Sequence, residues 1–302
     1  MPVLVGVDAG GTSIECAIER DGRSIRRRGE PANVRVAGVA RAAERIAAAV
    51  RGELHDEPFA ALAVGAAGAG DPAVARALET ALREHFASGA IAVCDDAEIA
   101  LRAGVPDGDG AVLIAGTGSI AYARVGERSY RAGGYGYLLG DDGSGFAIGR
   151  SALAQLLRSY DERVGREPLF EAIEAHLDAA DARAVLARVY RSEDAPATIA
   201  ALAPLVIERA SAGERLASKI VQSAASELVE LVKALVGMAH IAARELPLVY
   251  AGGLFAENSL LTFLVETRIT ADLPLLQSVK PAPPPVQGAL ELARRIAAHV
   301  SS

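Results

Sequence analysis

Two short apolar runs in this chain end in the same kind of loop. Val3–Val7 runs into Asp8-Ala9-Gly10-Gly11-Thr12, and about 105 residues later Ala111–Ala115 runs into Gly116-Thr117-Gly118-Ser119. Each loop leads into a segment read as a second strand, Ser13–Glu19 (alternating through Ile14, Cys16 and Ile18) and Ile120–Val125. A third strand is expected in each copy, near Ser24–Arg28 behind the hairpin signal Asp21-Gly22, and at Ser129–Arg131 behind Gly126-Glu127-Arg128. A strand–glycine loop–strand unit that restarts in this way predicts a duplicated α/β design.

The remaining elements fit that plan. In the first copy, helical spacing covers Gly38–Leu54 and Ala73–Phe86 behind Pro72, with buried strands at Ala60–Val64 and Ile91–Val93 and a helix at Ala97–Ala103. In the second, helical stretches run from about Gly145 to Gln222 and over Ser223–Glu245, and the strand Pro247–Tyr250 ends at Gly252-Gly253. Val279–Pro285 is too proline-rich to be regular, and Gln287-Gly288 opens a last helix, Ala289–His299. The break Pro106–Gly110 divides the chain into domains 1–108 and 109–288, with a terminal helix 289–302 able to pack back on the first. At 302 residues the chain can fill two cores.

Composition excludes several classes. A net charge of −7 leaves no electrostatic footprint for nucleic acid, and the basic cluster Arg23, Arg26–Arg28 reads as a solvated hairpin. The amino terminus has no signal-peptide pattern, and no stretch reaches the uninterrupted apolar length of a membrane span. A cytoplasmic protein with reduced thiols is expected: Cys16 and Cys94 lie far apart without CxxC spacing. The five histidines share no ligand spacing, and GxSxG is missing, so hydrolase readings lack support.

The glycine loops suit phosphate. Glycines let the backbone approach an anion and offer N–H groups to it. Asp8, at a strand end, can hold Mg²⁺ directly or through water, and Thr12 adds a hydroxyl. Either loop alone is equally a hairpin turn; two in matching places read as a nucleotide clamp. Neither fits GxxxxGK[ST], and neither opens a helix as GxGxxG does. Val249–Leu254, a strand ending in Gly252-Gly253, would let a base lie against the backbone, or is simply a strand-to-helix turn.

Carboxylates supply the other chemistry. Asp95-Asp96 ends a strand, where Asp96 suits a general base and Asp95 a helix cap or neighbour. Asp141-Asp142-Gly143-Ser144-Gly145 follows the glycine-rich Gly133–Tyr137; Asp142 or Ser144 suits a helix cap, capping accounts for Asp142, and ligand contact is expected of Asp141. Asn33, in Pro31-Ala32-Asn33, suits a hydroxyl or amide, or an Asx-turn.

Taken together, D-A-G-G-T-S at Asp8–Ser13, P-A-N at Pro31–Asn33, D-D-A at Asp95–Ala97, I-A-G-T-G-S at Ile114–Ser119, G-G-Y-G-Y-L-L-G-D-D-G-S-G at Gly133–Gly145 and Y-A-G-G-L at Tyr250–Leu254 resemble the BadF/BadG/BcrA/BcrD ATPase and N-acetylglucosamine kinase family. The resemblance runs in order over nearly the whole chain. It implies ribonuclease-H-like (actin-like ATPase) domains with mixed five-stranded sheets, a cleft between them, ATP and Mg²⁺ as cofactors, and a homodimer. It implies that Asp8, Gly10, Gly11, Thr12, Ser13, Gly116, Thr117, Gly118, Gly213, Gly252 and Gly253 meet the nucleotide and its Mg²⁺. It assigns Asn33, Asp96, Gly118, Ser119, Gly134, Tyr135 and Asp141 to a sugar, with Asp96 as the base toward its primary hydroxyl. Tyr135 stands where the family commonly has tryptophan, and still offers an aromatic face. The implied activity is phosphorylation of an amino sugar, most directly N-acetylglucosamine or glucosamine. The family's other class, ATP-driven activators of CoA-ester dehydratases and reductases, holds an iron–sulfur cluster that needs cysteine ligands, and none lies near Gly133–Gly145.

Overall fold

The computed structural model describes residues 3–11, 13–20, 23–29, 32–54, 57–87, 89–279 and 283–300. The chain forms two compact units, one made of residues 1–110 with 279–302 and the other of 111–278.

The first unit holds β1 (Leu4–Ala9), β2 (Ile14–Arg20), β3 (Arg23–Gly29), α1 (Val34–Ala37), α2 (Val39–Leu54), β4 (Ala61–Ala66), α3 (Pro72–His85), β5 (Ala90–Asp95) and α4 (Asp96–Gly104). Its mixed sheet has the order β3-β2-β1-β4-β5. β1 runs antiparallel to β2 and parallel to β4, and β4 runs parallel to β5. β1 lies mid-sheet with Val5 and Val7 fully buried, which explains its unbroken apolar run. One face packs against the helices through Val5, Val7, Ile46, Leu62, Val64, Leu78 and Leu82. The other packs Leu4, Ala17, Ala61 and Ala63 on Val286, Leu290 and Ala293.

The second unit repeats the opening with β6 (Gly110–Ala115), β7 (Ser119–Val125) and β8 (Arg128–Gly133). Then come α5 (Gly145–Tyr160), α6 (Pro168–Leu177), α7 (Ala182–Tyr190), α8 (Ala195–Ala200), α9 (Ala203–Ser211), α10 (Arg215–Ala239), β9 (Leu246–Ala251), α11 (Leu260–Asp272) and β10 (Leu276–Val279). The sheet order is β10-β9-β6-β7-β8, a second five-stranded sheet. The final helix, α12 (Pro285–Val300), belongs to the first unit.

Two local expectations need correction. The long helix expected at Ser223–Glu245 is Arg215–Ala239, closed by His240 in the left-handed region at φ 54°. Alanine-rich helical spacing carried no marker of that end, because a left-handed histidine cap has no strong sequence signal. Val279–Pro285 is not irregular throughout: Val279 ends β10, and Pro285 begins α12, where a missing N–H costs nothing. Lys280–Ala282 lie outside the described residues, as does the turn at Asp21-Gly22.

α12 packs closely on α4 because its glycine removes a side chain where two backbones meet. A Cβ on Gly288 would come within 1.9 Å of the Ile99 carbonyl oxygen and 2.6 Å of the Ala103 nitrogen. Both atoms are α4 backbone, so neither can step aside as a flexible side chain would. Gly288→Ala should therefore cost about 3 kcal/mol, at the upper end of overpacking, in urea unfolding followed by circular dichroism. Gly52→Ala, facing open space on α2, should stay within about 0.5 kcal/mol of the parent.

Candidate functional site

In the first unit the parallel register carries two acidic strand ends to one edge of the sheet. Asp8 pairs with Gly65, and one step further along β4 Ala66 pairs with Asp95. Ligands of open α/β sheets bind at the carboxyl ends of parallel strands, so this edge is where a site belongs. The turn after Asp8 is closed by the Gly10 N–H donating to the Ser13 carbonyl at 3.0 Å. Ala32 N–H donates to the Gly10 carbonyl at 3.3 Å, and Val34 N–H to the Ala67 carbonyl at 3.0 Å. These bonds bring Asn33 beside the loop, with its Nδ2 3.8 Å from where a Cβ on Gly11 would stand. Thr12 lies outside the described residues.

Asp95 caps α4, its Oδ1 accepting from the Ala97 N–H at 3.0 Å. That leaves Asp96 as the other acid at the strand end. Burial raises the proton affinity of Asp96 well above the usual carboxylate range; a hydrogen bond with Asp95 and the charges of Asp95 and Asp8 add to it. Burial likewise pushes Asp8 up to about 6, helped by Glu15, its partner across β2. Glu15 escaped the sequence reading, although the hairpin register follows from the turn length. No lysine or arginine pairs with Asp8 or Asp96 among the described residues. Such an uncompensated carboxylate edge fits a divalent cation. No group of three or more potential ligands could hold a metal among the described residues. Mg²⁺ is commonly bound through one or two carboxylates with phosphate and water completing its shell, a role that Asp8 could take.

In the second unit, β6 ends at Ala115 and the next loop turns on a set of backbone bonds. Gly116 N–H donates to the Gly118 carbonyl at 2.9 Å, while Gly145 N–H and Phe146 N–H donate to the Gly116 and Thr117 carbonyls at 2.8 and 3.2 Å. The β9 loop closes on the same place: Leu254 N–H donates to the Ala115 carbonyl at 3.1 Å, and a Cβ on Gly252 would come within 2.3 Å of that oxygen. Side chains at Gly116 and Gly253 would meet nothing within 4 Å, so both loops present open backbone. Gly213 occupies its own left-handed turn between α9 and α10, at φ 89°, and takes no part in these bonds.

The glycine-rich stretch Gly133–Gly145 folds back onto the Gly116–Ser119 loop. Asp141, itself left-handed at φ 60°, accepts from the N–H groups of Ser119 and Gly136, and a Cβ on Gly118 would lie 2.6 Å from its Oδ2. Burial raises the Asp141 carboxyl above its ordinary value, and those two N–H donors and Arg131 oppose the rise. Ser119 is buried; its hydroxyl donates to the Asp142 carbonyl at 2.7 Å, and its carbonyl accepts from Gly134 N–H at 3.0 Å. Asp142 and Ser144 were both candidates for the cap of α5; it is Ser144, whose Oγ accepts from Ala147 N–H. Two residues closer to the helix start, Ser144 has the reach that Asp142 lacks. Tyr135, Leu138 and Leu139 are exposed at 68%, 79% and 85%, giving the loop an apolar rim.

The cysteines take no part in this. Cys16 on β2 and Cys94 on β5 are separated by two intervening strands, about 14 Å across the sheet. Burial pushes both thiols up, Cys16 to about 12, away from the thiolate a cluster needs.

Residues 5–293 match the model of the BadF/BadG/BcrA/BcrD ATPase family. An N-acetylmuramic acid/N-acetylglucosamine kinase of Clostridium acetobutylicum is 35% identical over 65% of this chain and 65% of its own length, so that alignment spans just under two thirds of the relative. An N-acetyl-D-glucosamine kinase of Dictyostelium discoideum is 27% identical over 96% of this chain and 97% of its own. Among solved structures, a Chromobacterium violaceum protein provisionally named an N-acetylglucosamine kinase superposes with a TM-score of 0.79 at 24% identity, covering 97% of this chain and 99% of that one, which shows the shared fold.

Raising a carboxyl from 3.8 to about 6 corresponds to about 3 kcal/mol between its protonation states. The folded chain holds the Asp8 proton more tightly than the unfolded chain, so from pH 6 down to 3.8 this group makes stability rise as pH falls. Asp8→Asn should accordingly stabilise the cation-free protein at pH 8 by up to about 3 kcal/mol in urea titrations, with the gain fading by pH 4. A gain of equal size at both pH values would show that charge burial is not its source.

Proposed function

The chain belongs to the BadF/BadG/BcrA/BcrD ATPase family, and on that premise we propose that it is an ATP-dependent kinase acting on the 6-hydroxyl of an amino sugar, N-acetylglucosamine or glucosamine. The observation that carries this is Asp96: a carboxyl at the end of a parallel strand, beside a glycine loop, whose surroundings favour its protonated form. A base for phosphoryl transfer needs that tuning, because it must take a proton from a weakly acidic hydroxyl near neutral pH. In this reading Asp96 takes the proton as the sugar oxygen attacks. Asp95, fixed by its cap on Ala97, holds Asp96 in place by the hydrogen bond they share.

The nucleotide would be met by Asp8, Gly10, Gly11 and Ser13 in the first unit and by Gly116, Thr117, Gly118, Gly252 and Gly253 in the second, all supplying backbone or short polar groups. Mg²⁺, when bound at Asp8, would neutralise charge on the phosphates. Asn33, Gly134, Tyr135 and Asp141 are the sugar contacts in this reading, and Gly213 remains a nucleotide neighbour on resemblance alone. Use of ATP favours a cytoplasmic enzyme. No helix among the described residues is long and apolar enough to cross a membrane. The homodimer implied by the resemblance is checked by light scattering.

Asp96→Asn should lower sugar-dependent ADP release by about 10³-fold while ATP binding by calorimetry changes less than twofold. Near-normal turnover would remove Asp96 as the base. A panel of N-acetylglucosamine, glucosamine and N-acetylmuramic acid, run beside a no-sugar control, identifies the acceptor.

A further inference from the structure

Arg131 on β8 points its guanidinium at the backbone of the loop that follows it. Its Nε donates to the Gly133 carbonyl at 3.2 Å and its Nη2 to the Gly134 carbonyl at 2.5 Å. Both glycines are left-handed, at φ 74° and 68°, and their consecutive carbonyls, at the end of the β7–β8 ladder, accept from one guanidinium. The planar fork of arginine matches two adjacent acceptors in a way that a point charge does not. From the other side, Ser119 takes the Gly134 N–H and holds the Asp142 carbonyl, and Asp141 gathers the N–H groups of Ser119 and Gly136. The segment from Gly133 to Asp142 is thus fastened at its start by Arg131 and Ser119, and at its end by Ser119 and Asp141.

We propose that Arg131 is a positioning residue for the sugar: it fixes the backbone path of Gly133-Gly134, and so sets where Tyr135 and Asp141 present themselves, without itself taking part in phosphoryl transfer. This rests on the kinase reading above. Arg131 supplies a charged donor to the loop, and its strand is already held by pairing with Tyr122 across the hairpin. Its loss therefore releases the loop while leaving the sheet intact. The Gly116–Gly118 turn keeps its own backbone bonds to Gly145 and Phe146, so nucleotide contacts should not follow the loop.

Two measurements on the full chain test this. Hydrogen exchange on the ligand-free protein should show faster exchange across residues 133–142 in Arg131→Gln, with β6 and β9 unchanged. Steady-state assays should show the KM for the sugar rising about tenfold, with the KM for ATP within twofold and kcat within threefold. Arg131→Lys, which keeps the charge but not the fork, should fall between the two proteins in both readouts. Unchanged exchange in the loop overturns the proposal whatever the activity. A wild-type enzyme that is active, with an unchanged sugar KM in Arg131→Gln, overturns the role of Arg131 alone. Equal losses toward ATP and sugar mark a general structural defect and overturn it too. A wild-type protein inert toward every sugar in the panel overturns the kinase reading, and the sugar role with it.

Discussion

Parallel pairing of β1, β4 and β5 is the constraint from which the first unit's chemistry follows. Side chains alternate with a period of two, so a slip of one residue would turn Val5 and Val7 out of the helix-covered core. Burial on both faces forbids that slip. Once the register is fixed, Asp8 and Asp95 must end at the same edge, and the chain has no freedom to separate them. Carboxylate crowding at the site is therefore a consequence of how the core packs, and the core's stability is what holds the acids together.

That crowding works against folding. Asp8 and Asp96 are held in surroundings that favour their neutral forms, and among the described residues no basic side chain pairs with them. A protein selected for stability alone would replace one acid or add an arginine. Retaining the pair instead leaves the edge poised to gain from anything that brings positive charge or removes a proton's worth of repulsion. In the kinase reading proposed above, the same surroundings would serve a cation-linked phosphate donor and a carboxyl that must accept a proton.

Much of this was legible in the sequence, and the reasons differ by element. Buried parallel strands announce themselves as apolar runs ending in Asp or Gly, so β1, β4, β5, β6 and β9 were readable. Asp71 and Pro72 mark the start of α3 by side-chain capping and a pre-set φ, both local effects. The alanine-rich span from Gly145 onward resisted division into α5 through α10, because small residues satisfy helical spacing on any face. Of the two cap candidates for α5, Asp142 and Ser144, the helix uses Ser144, which stands directly before its first residue. Arg131 had no signal at all: a guanidinium bonded to backbone carbonyls leaves no residue pattern, since its partners are carbonyls that every residue carries.

The two halves answer one problem in different ways. Aligned on their glycine loops, Asp8 of the first copy corresponds to Ile114 of the second, so the duplication keeps the turn and drops the acid. In the first unit the loop follows a carboxylate and lies beside Asn33; in the second it follows apolar residues and is braced by backbone bonds to α5 and the β9 loop. A phosphate chain carries several negative charges, and a second carboxylate against it would repel rather than bind. Backbone N–H groups attract it without adding charge, and open glycine surface at Gly116 and Gly253 lets it come close. Divergence at that position leaves one loop behind a carboxylate and the other behind an apolar residue, and the proposed division of labour, cation contact in one copy and neutral anion contact in the other, is the one that this difference in charge favours.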